Sequence, residues 1–284
     1  MILVTGATGK LGRLVIEELL KKVPASQVVA AARNPEKAGD LAARGVQVRK
    51  ADYSQPETLG PALAGVEKVL LISSSEVGKR AQQHQAVVEA ARKAGVRLLA
   101  YTSVLHADRS KMALAAEHKA TEEAIRASGL PYVFLRNGWY IENYTENLGP
   151  TLAHGAFMGS AGEGRIAAAT RADYAAAAVA VLTGSGHENK VYELAGDTPF
   201  TMAELATEVS RQAGKTIGYN NLPPEQYQAA LVGVGVPGPF AAVLVDSDVN
   251  AAQGSLDDSS GDLRRLIGRP TTPLADAVAA ALKR

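Results

Sequence analysis

Three glycines, Gly6, Gly9 and Gly12, stand in VTGATGKLG between a short apolar run and an amphipathic one. A glycine string alone says little. One that leaves a strand and opens a helix is a phosphate-binding turn. Gly6 permits the tight turn, Gly9 lets a ligand approach the backbone, and Gly12 lets the helix press on the sheet. The helix start then offers free N–H groups and the positive end of its dipole to a pyrophosphate. The loop of Gly6, Ala7, Thr8, Gly9, Lys10, Leu11 and Gly12 is therefore expected to hold a dinucleotide.

The next strand chooses between dinucleotides. Sites for NAD end it in an acid that takes the ribose 2′-hydroxyl. Here it ends in Ala31, Ala32 and Arg33, with no acid. A guanidinium grips a 2′-phosphate through paired hydrogen bonds, so NADPH is favoured over NADH; the alternative is a solvated surface arginine. Asp52, ending the third strand, is placed for the adenine amino group. Ser73, Ser74 and Ser75 follow the fourth strand, and strand ends of this kind line the ligand crevice. For any one of these a plain turn is the competing reading.

These residues need a scaffold, and the chain alternates apolar runs with amphipathic ones. MILVT, QVVAAAR, VQVRKADY, KVLLIS, RLLAYTS and PYVFLRNG read as strands without polar alternation, each followed by a helical pattern such as KLGRLVIEELLKK. Such a pattern implies an α/β fold with a doubly wound parallel Rossmann-type sheet, covered on both faces. Residues 1–137 are expected to form the NADP-binding domain. Residues 138–284 read mostly as a smaller α/β substrate-binding lobe, with 166–184 docking back on the first. In that second part VYELAG reads as a strand, TMAELATEVSRQAG as a helix opened by a Thr201–Glu204 capping box, and NNLPPEQ and GVGVPGPF as irregular chain.

Composition excludes several chemistries. The 284 residues include no Cys, which removes disulfides, thiolate nucleophiles and Cys-ligated metal. His84, His106, His118, His154 and His187 show no ligand spacing, so no metal is expected. A net charge of +1 gives no reason to expect nucleic acid. No secretion signal and no apolar run of membrane length is present, so the expectation is a cytoplasmic protein without membrane insertion. No oligomeric state follows from the sequence.

TGATGKLG, AAARNPEKA, LISSSEVG, AYTSVLHAD, HKATE, LRNGWYIENY and ATRADYAAAA together resemble the NmrA-like atypical short-chain dehydrogenases. Within that family the likeness leans to the bacterial type 2 NAD(P)H:quinone oxidoreductases, and less closely to triphenylmethane reductases. It runs nearly the whole chain, through LIGRPTTPLADAV. It implies a flavin-free enzyme that passes hydride from NADPH to a quinone between two lobes. It adds Asn137, Gly138, Trp139, Tyr140, Ile141 and Glu142 to the cofactor contacts, and Arg171 from the second lobe. For Arg171 and Asp173 the alternative is a salt-bridged helix start. Asn137 can orient a carboxamide or a quinone oxygen. Trp139 and Tyr140 can stack on a quinone ring, or simply belong to the core between the lobes.

Ordinary short-chain dehydrogenases carry a proton-donating Tyr and, four residues on, a Lys. Aligned on Glu122, MALAAEHKATEE places Leu114 at the Tyr position and His118 at the Lys position, after Thr102 and Ser103 at the strand end. Leu114 cannot donate a proton. His118 is either a ligand-facing group or a surface histidine, and His106 and Lys119 are further candidates. The loss suits a quinone. Hydride addition to a ketone leaves an alkoxide, with a conjugate acid near that of water at about 16, whereas a quinone leaves a phenolate near about 10. The gap of roughly 6 units is worth about 8 kcal/mol. A quinone can therefore take its proton from water afterwards. Two other readings share these residues: a non-catalytic NADP(H) sensor, and an NADPH-dependent dye reductase.

Overall fold

The computed structural model describes residues 1–283. β1 (Ile2–Val4) leads through the glycine loop into α1 (Lys10–Leu19). β2 (Val28–Ala32), α2 (Gly39–Ala43), β3 (Gln47–Lys50) and α3 (Leu59–Leu63) follow, then β4 (Lys68–Leu71), α4 (Arg80–Ala94), β5 (Leu98–Val104) and α5 (Ala113–Ala127). β6 (Tyr132–Asn137) runs into the short helices α6 (Glu142–Thr145) and α7 (Leu148–His154). After these come β7 (Ala156–Gly159), α8 (Arg171–Thr183), β8 (Lys190–Leu194), α9 (Met202–Ala213) and β9 (Gly218–Asn221). The chain closes with α10 (Pro224–Gly233), α11 (Gly238–Ala251), α12 (Asp262–Ile267) and α13 (Leu274–Leu282).

Seven parallel strands form one sheet in the order β3-β2-β1-β4-β5-β6-β8. The order reverses between β1 and β4, which opens the crevice where such sheets bind nucleotides. β1, β2 and β5 are buried along their whole length, as expected for strands covered on both faces. On one side α1 buries Leu11, Val15, Ile16 and Leu19, and α8 packs against it with Ala175, Ala177 and Ala178. Each large apolar side chain so buried contributes about 1.5–3 kcal/mol. Leu59, Val87, Val88 and Ile125 cover the opposite face. A second core lies beyond the strand ends, around Phe157, Phe200, Leu205 and Val209.

Four elements depart from the sequence reading. VYELAG is not part of a separate lobe: β8 pairs with β6 and completes the main sheet. It is an edge strand, exposed at Lys190 and Val191, so its pattern differs from the buried strands. NNLPPEQ and GVGVPGPF hold the starts of α10 and α11, with Pro223 and Pro237 at the N-cap positions. Proline just ahead of or at the first helical residue is a start signal as much as a breaker. The helix read from His118 begins five residues earlier, at Ala113. The capping box at Thr201 and Glu204 is present in both halves.

Candidate active site

The glycine loop, the tip of β2 and the ends of β3 and β4 enclose one cavity of about 390 Å³. Gly6, Thr8, Gly9, Lys10, Leu11, Gly12, Arg33, Asp52, Ser73, Ser74 and Ser75 all line it. Ala7 lies buried beneath, its N–H bonded to the Ala31 carbonyl. The cradle fits a dinucleotide for a steric reason. Gly6 has φ +57°, which favours glycine, and a Cβ on Gly12 would lie 2.3 Å from the Gly6 carbonyl oxygen. Gly9 caps α1 without any side-chain hydrogen bond, so the first N–H groups of the helix face the cavity free. A larger groove of about 800 Å³ between α3 and α4 shares Tyr53 and Gln83 but is not lined by the glycine loop or by Arg33.

The serine run is a strap held from beneath. The Ser73 N–H donates to Thr102 Oγ1 at 2.9 Å, and the Ser74 N–H donates to His84 Nε2 at 2.9 Å. An N–H that donates to Nε2 places the imidazole proton on Nδ1, which faces Thr121 Oγ1 at 3.0 Å. Arg80 Nε donates to the Ser74 carbonyl, and Arg80 Nη1 reaches Glu117 Oε2 at 3.0 Å. Glu117 Oε1 accepts from the N–H groups of Gly78 and Arg80. Helix α5, whose sequence lacks the proton relay, thus supplies the anchor of the strap.

His118 is neither on the surface nor at the cavity. It is 4% exposed, and its Nδ1 shares a hydrogen bond of 2.7 Å with the Tyr101 hydroxyl. Burial pushes it well below the usual imidazole range, with Arg80 adding to the effect. Burial and Arg80 likewise push His84 down to about 3. Both are neutral in the folded chain, so stability is full above about pH 6.5 and falls as protons bind the unfolded chain first. His106 runs the other way: its hydrogen bond with Glu193 raises it, and it adds stability at low pH. A net loss of stability is expected between pH 7 and pH 5, led by His84 at about 2 kcal/mol and joined by His118, and offset in part by His106 and by Asp248, whose burial raises its carboxyl to about 6. Urea unfolding at the two pH values measures it; equal stability would mean that the imidazoles take up protons in place.

His106 and Lys119 do not line the cavity either. His106 sits in the left-handed region at φ 56° with its ring between Glu193 and Asp258, and Lys119 is exposed. Glu122, used as the alignment marker, is buried. It accepts from Ser103 Oγ at 2.7 Å and from Arg136 at 2.9 and 2.8 Å.

The segment after β6 lies outside this cavity and braces the glycine loop. Glu142 accepts from the Arg171 N–H at the start of α8. The Arg171 guanidinium lies 3.4 Å from Glu146 Oε2, and the same oxygen pairs with Lys10 Nζ at 2.6 Å. The Lys10 hydrogen bond, with Arg171 behind it, holds Glu146 below the usual carboxylate range. Arg171 also stacks over the Tyr140 ring at 5.0 Å, with Tyr174 at the ring's edge, and Tyr140 remains partly exposed. Trp139 packs on the second core, and Ile141 is buried there. Gly138 donates to the Leu194 carbonyl at 2.7 Å. The buried Asn137 amide lies near the Tyr140 hydroxyl, but its Oδ1 makes no hydrogen bond of ordinary length. Asp173 pairs with Arg269 at 2.7 Å.

Sequence reasoning missed Lys37, Tyr53, Glu76 and Gln83, which also line the cavity. Lys37 lies four residues past Arg33 and was open to notice as a second cation. The others arrive from crossovers and only the fold brings them in. Among the described residues no group of three or more His, Asp or Glu is placed to hold a metal ion, and no helix is long and apolar enough to cross a membrane.

The NAD(P)H-binding family matches residues 6–184. Quinone oxidoreductase 2 of Escherichia coli K12 is 56% identical, over 98% of this chain and 97% of that one. The crystal structure of the NADPH-dependent E. coli enzyme complexed with NADPH superposes with a TM-score of 0.97, covering 99% of this chain and 100% of the other. Triphenylmethane reductase of Citrobacter sp., complexed with NADP(H), is 45% identical with a TM-score of 0.95 and the same coverage. An NmrA-like family domain-containing oxidoreductase of Aspergillus flavus is 31% identical over 97% of this chain and 93% of that one. The chain belongs to the NAD(P)H-binding family, among the NmrA-like relatives of quinone oxidoreductase 2.

Proposed function

We propose that the protein is a flavin-independent oxidoreductase that passes hydride from NADPH to a quinone in the cytoplasm. What supports this most is the cavity, with a free helix start at one side and Arg33 at the tip of β2, in a chain 56% identical to a quinone oxidoreductase. NADPH bound there supplies the hydride. The chain's own groups position it: the N-terminal N–H groups of α1 take the pyrophosphate, Arg33 and Lys37 face the adenosine 2′ side, and the serine strap forms a wall. Asn137 through Glu142 and Arg171 brace the neighbouring glycine loop, and Asn137, whose buried Oδ1 lacks a protein partner, is the residue proposed to orient a carboxamide or quinone oxygen.

Helix α5 offers no proton. Leu114 has none, His118 is committed to Tyr101, and Lys119 faces solvent. The reduced oxygen takes its proton from water, which a phenolate product tolerates. His118→Ala is therefore expected to keep kcat with a small benzoquinone within about tenfold below its lowered melting temperature; a loss of several thousandfold, the upper range for a general acid, would make it the donor.

The test is NADPH absorbance followed with a small benzoquinone, on protein shown spectrally to lack flavin. Turnover well above background is expected. Binding of NADPH without turnover would replace this reading by a nucleotide sensor. The likeness to triphenylmethane reductase favours cationic dyes as second substrates, and the same assay with crystal violet reads it.

A further inference from the structure

Arg33 does not stand free at the tip of β2. Its Nη1 lies 3.1 Å from Glu76 Oε1, and Glu76 Oε2 lies 3.5 Å from Lys79 Nζ. Glu76 follows the serine run and reaches from the end of β4 across the mouth of the cavity, which it lines together with Arg33 and Lys37. Its N–H donates to Ser74 Oγ at 3.2 Å, which ties its backbone to the strap. Sheets that bind NAD place an acid at the tip of β2. Here that acid is absent from β2, and a carboxylate reaches the same place from the neighbouring crossover.

We propose that Glu76 sets cofactor selectivity: it occupies Arg33, yields to a 2′-phosphate by moving onto Lys79, and accepts the 2′-hydroxyl of a cofactor without that phosphate. The proposal rests on Arg33 facing the 2′ position. A phosphate monoester carries about −1.5 to −2 charges and three acceptor oxygens, so it displaces a single carboxylate from a guanidinium. The displaced Glu76 is not stranded, because Lys79 is already within reach of its second oxygen. NADH leaves the Arg33–Glu76 pair intact and finds a carboxylate beside its hydroxyl. Glu76 thus weakens NADPH and favours NADH, narrowing the preference that Arg33 and Lys37 create.

The test is Glu76→Gln, with dissociation constants for NADPH and NADH, and for adenosine 2′,5′-bisphosphate and AMP as probes of the 2′ position alone. NADPH and the bisphosphate are expected to bind about fivefold tighter, as for an exposed ion pair removed. The NADPH/NADH affinity ratio is expected to rise about tenfold in all. A ratio unchanged within twofold, or a lower one, overturns the proposal. Arg33→Ala separates the premises. If it abolishes the NADPH preference while Glu76→Gln leaves the ratio unchanged, Arg33 keeps its role and Glu76 loses its own. If Arg33→Ala leaves the ratio unchanged, the role of Arg33 falls, and that of Glu76 with it.

Discussion

Glu122→Ala is expected to cost about 3–5 kcal/mol of folding stability, the range for stranding one partner of a buried ion pair. At about 2–4 °C per kcal/mol for a chain of this size, the melting temperature falls by about 10 °C. The reason is geometric. Glu122 side chain and Arg136 side chain are only 2% and 5% exposed, and the guanidinium meets both carboxylate oxygens. The same carboxylate receives the Ser103 hydroxyl, so one side chain of α5 ties β5 and β6 together. Arg136 keeps Asp108 and Glu193, each at 2.8 Å, which sets the effect nearer the lower end. Glu122→Gln, which keeps one acceptor and loses the charge, is expected to fall between. Thermal and urea unfolding measure both, and a loss under about 1 kcal/mol for the alanine variant would show that the pair is dispensable.

Gly12→Ala is expected to weaken NADPH binding by at least about a hundredfold and to cost about 2–3 kcal/mol of stability, as for overpacking. The new Cβ would lie 2.3 Å from the Gly6 carbonyl oxygen and 2.9 Å from the Ala7 Cα. Both are backbone atoms of the cofactor turn, so relief requires opening the turn itself. Gly60→Ala is the control: nothing lies within 4 Å of its added Cβ. That substitution, inside α3, is expected to leave binding unchanged and to be neutral or stabilising by up to about 1 kcal/mol. Fluorescence titration with NADPH reads both. Binding by Gly12→Ala within threefold of the parent would mean that the loop flexes to admit a side chain.

What was legible in the sequence was what local chemistry dictates. Fully buried parallel strands need continuous apolar runs, so β1, β2, β4, β5 and β6 were visible. β8, half-exposed at the sheet edge, was visible as a strand, but its place in the sheet was not. The glycine loop was readable because the left-handed backbone at Gly6 favours glycine and no side chain fits at Gly12. Glu76, Tyr53 and Gln83 were not readable, because their roles depend on which crossovers meet at the switch between β1 and β4. His118 could have been read as buried. Ala115, His118, Glu122 and Ile125 recur at helical spacing, and all four are buried in the structure. The missing Tyr and Lys drew attention to chemistry on α5, while its inner face was occupied with packing and ion pairing.

One contact in the strap has a spectroscopic consequence. The Ser74 amide donates to an imidazole nitrogen, not to a carbonyl oxygen. Nitrogen on both sides of the shared proton makes the link visible by NMR as a nitrogen–nitrogen coupling through the hydrogen bond. Its strength follows the Ser74–His84 separation directly. Titrating cofactor into isotope-labelled protein would therefore reveal how far the strap shifts as the site fills, from one resonance pair and without any substitution.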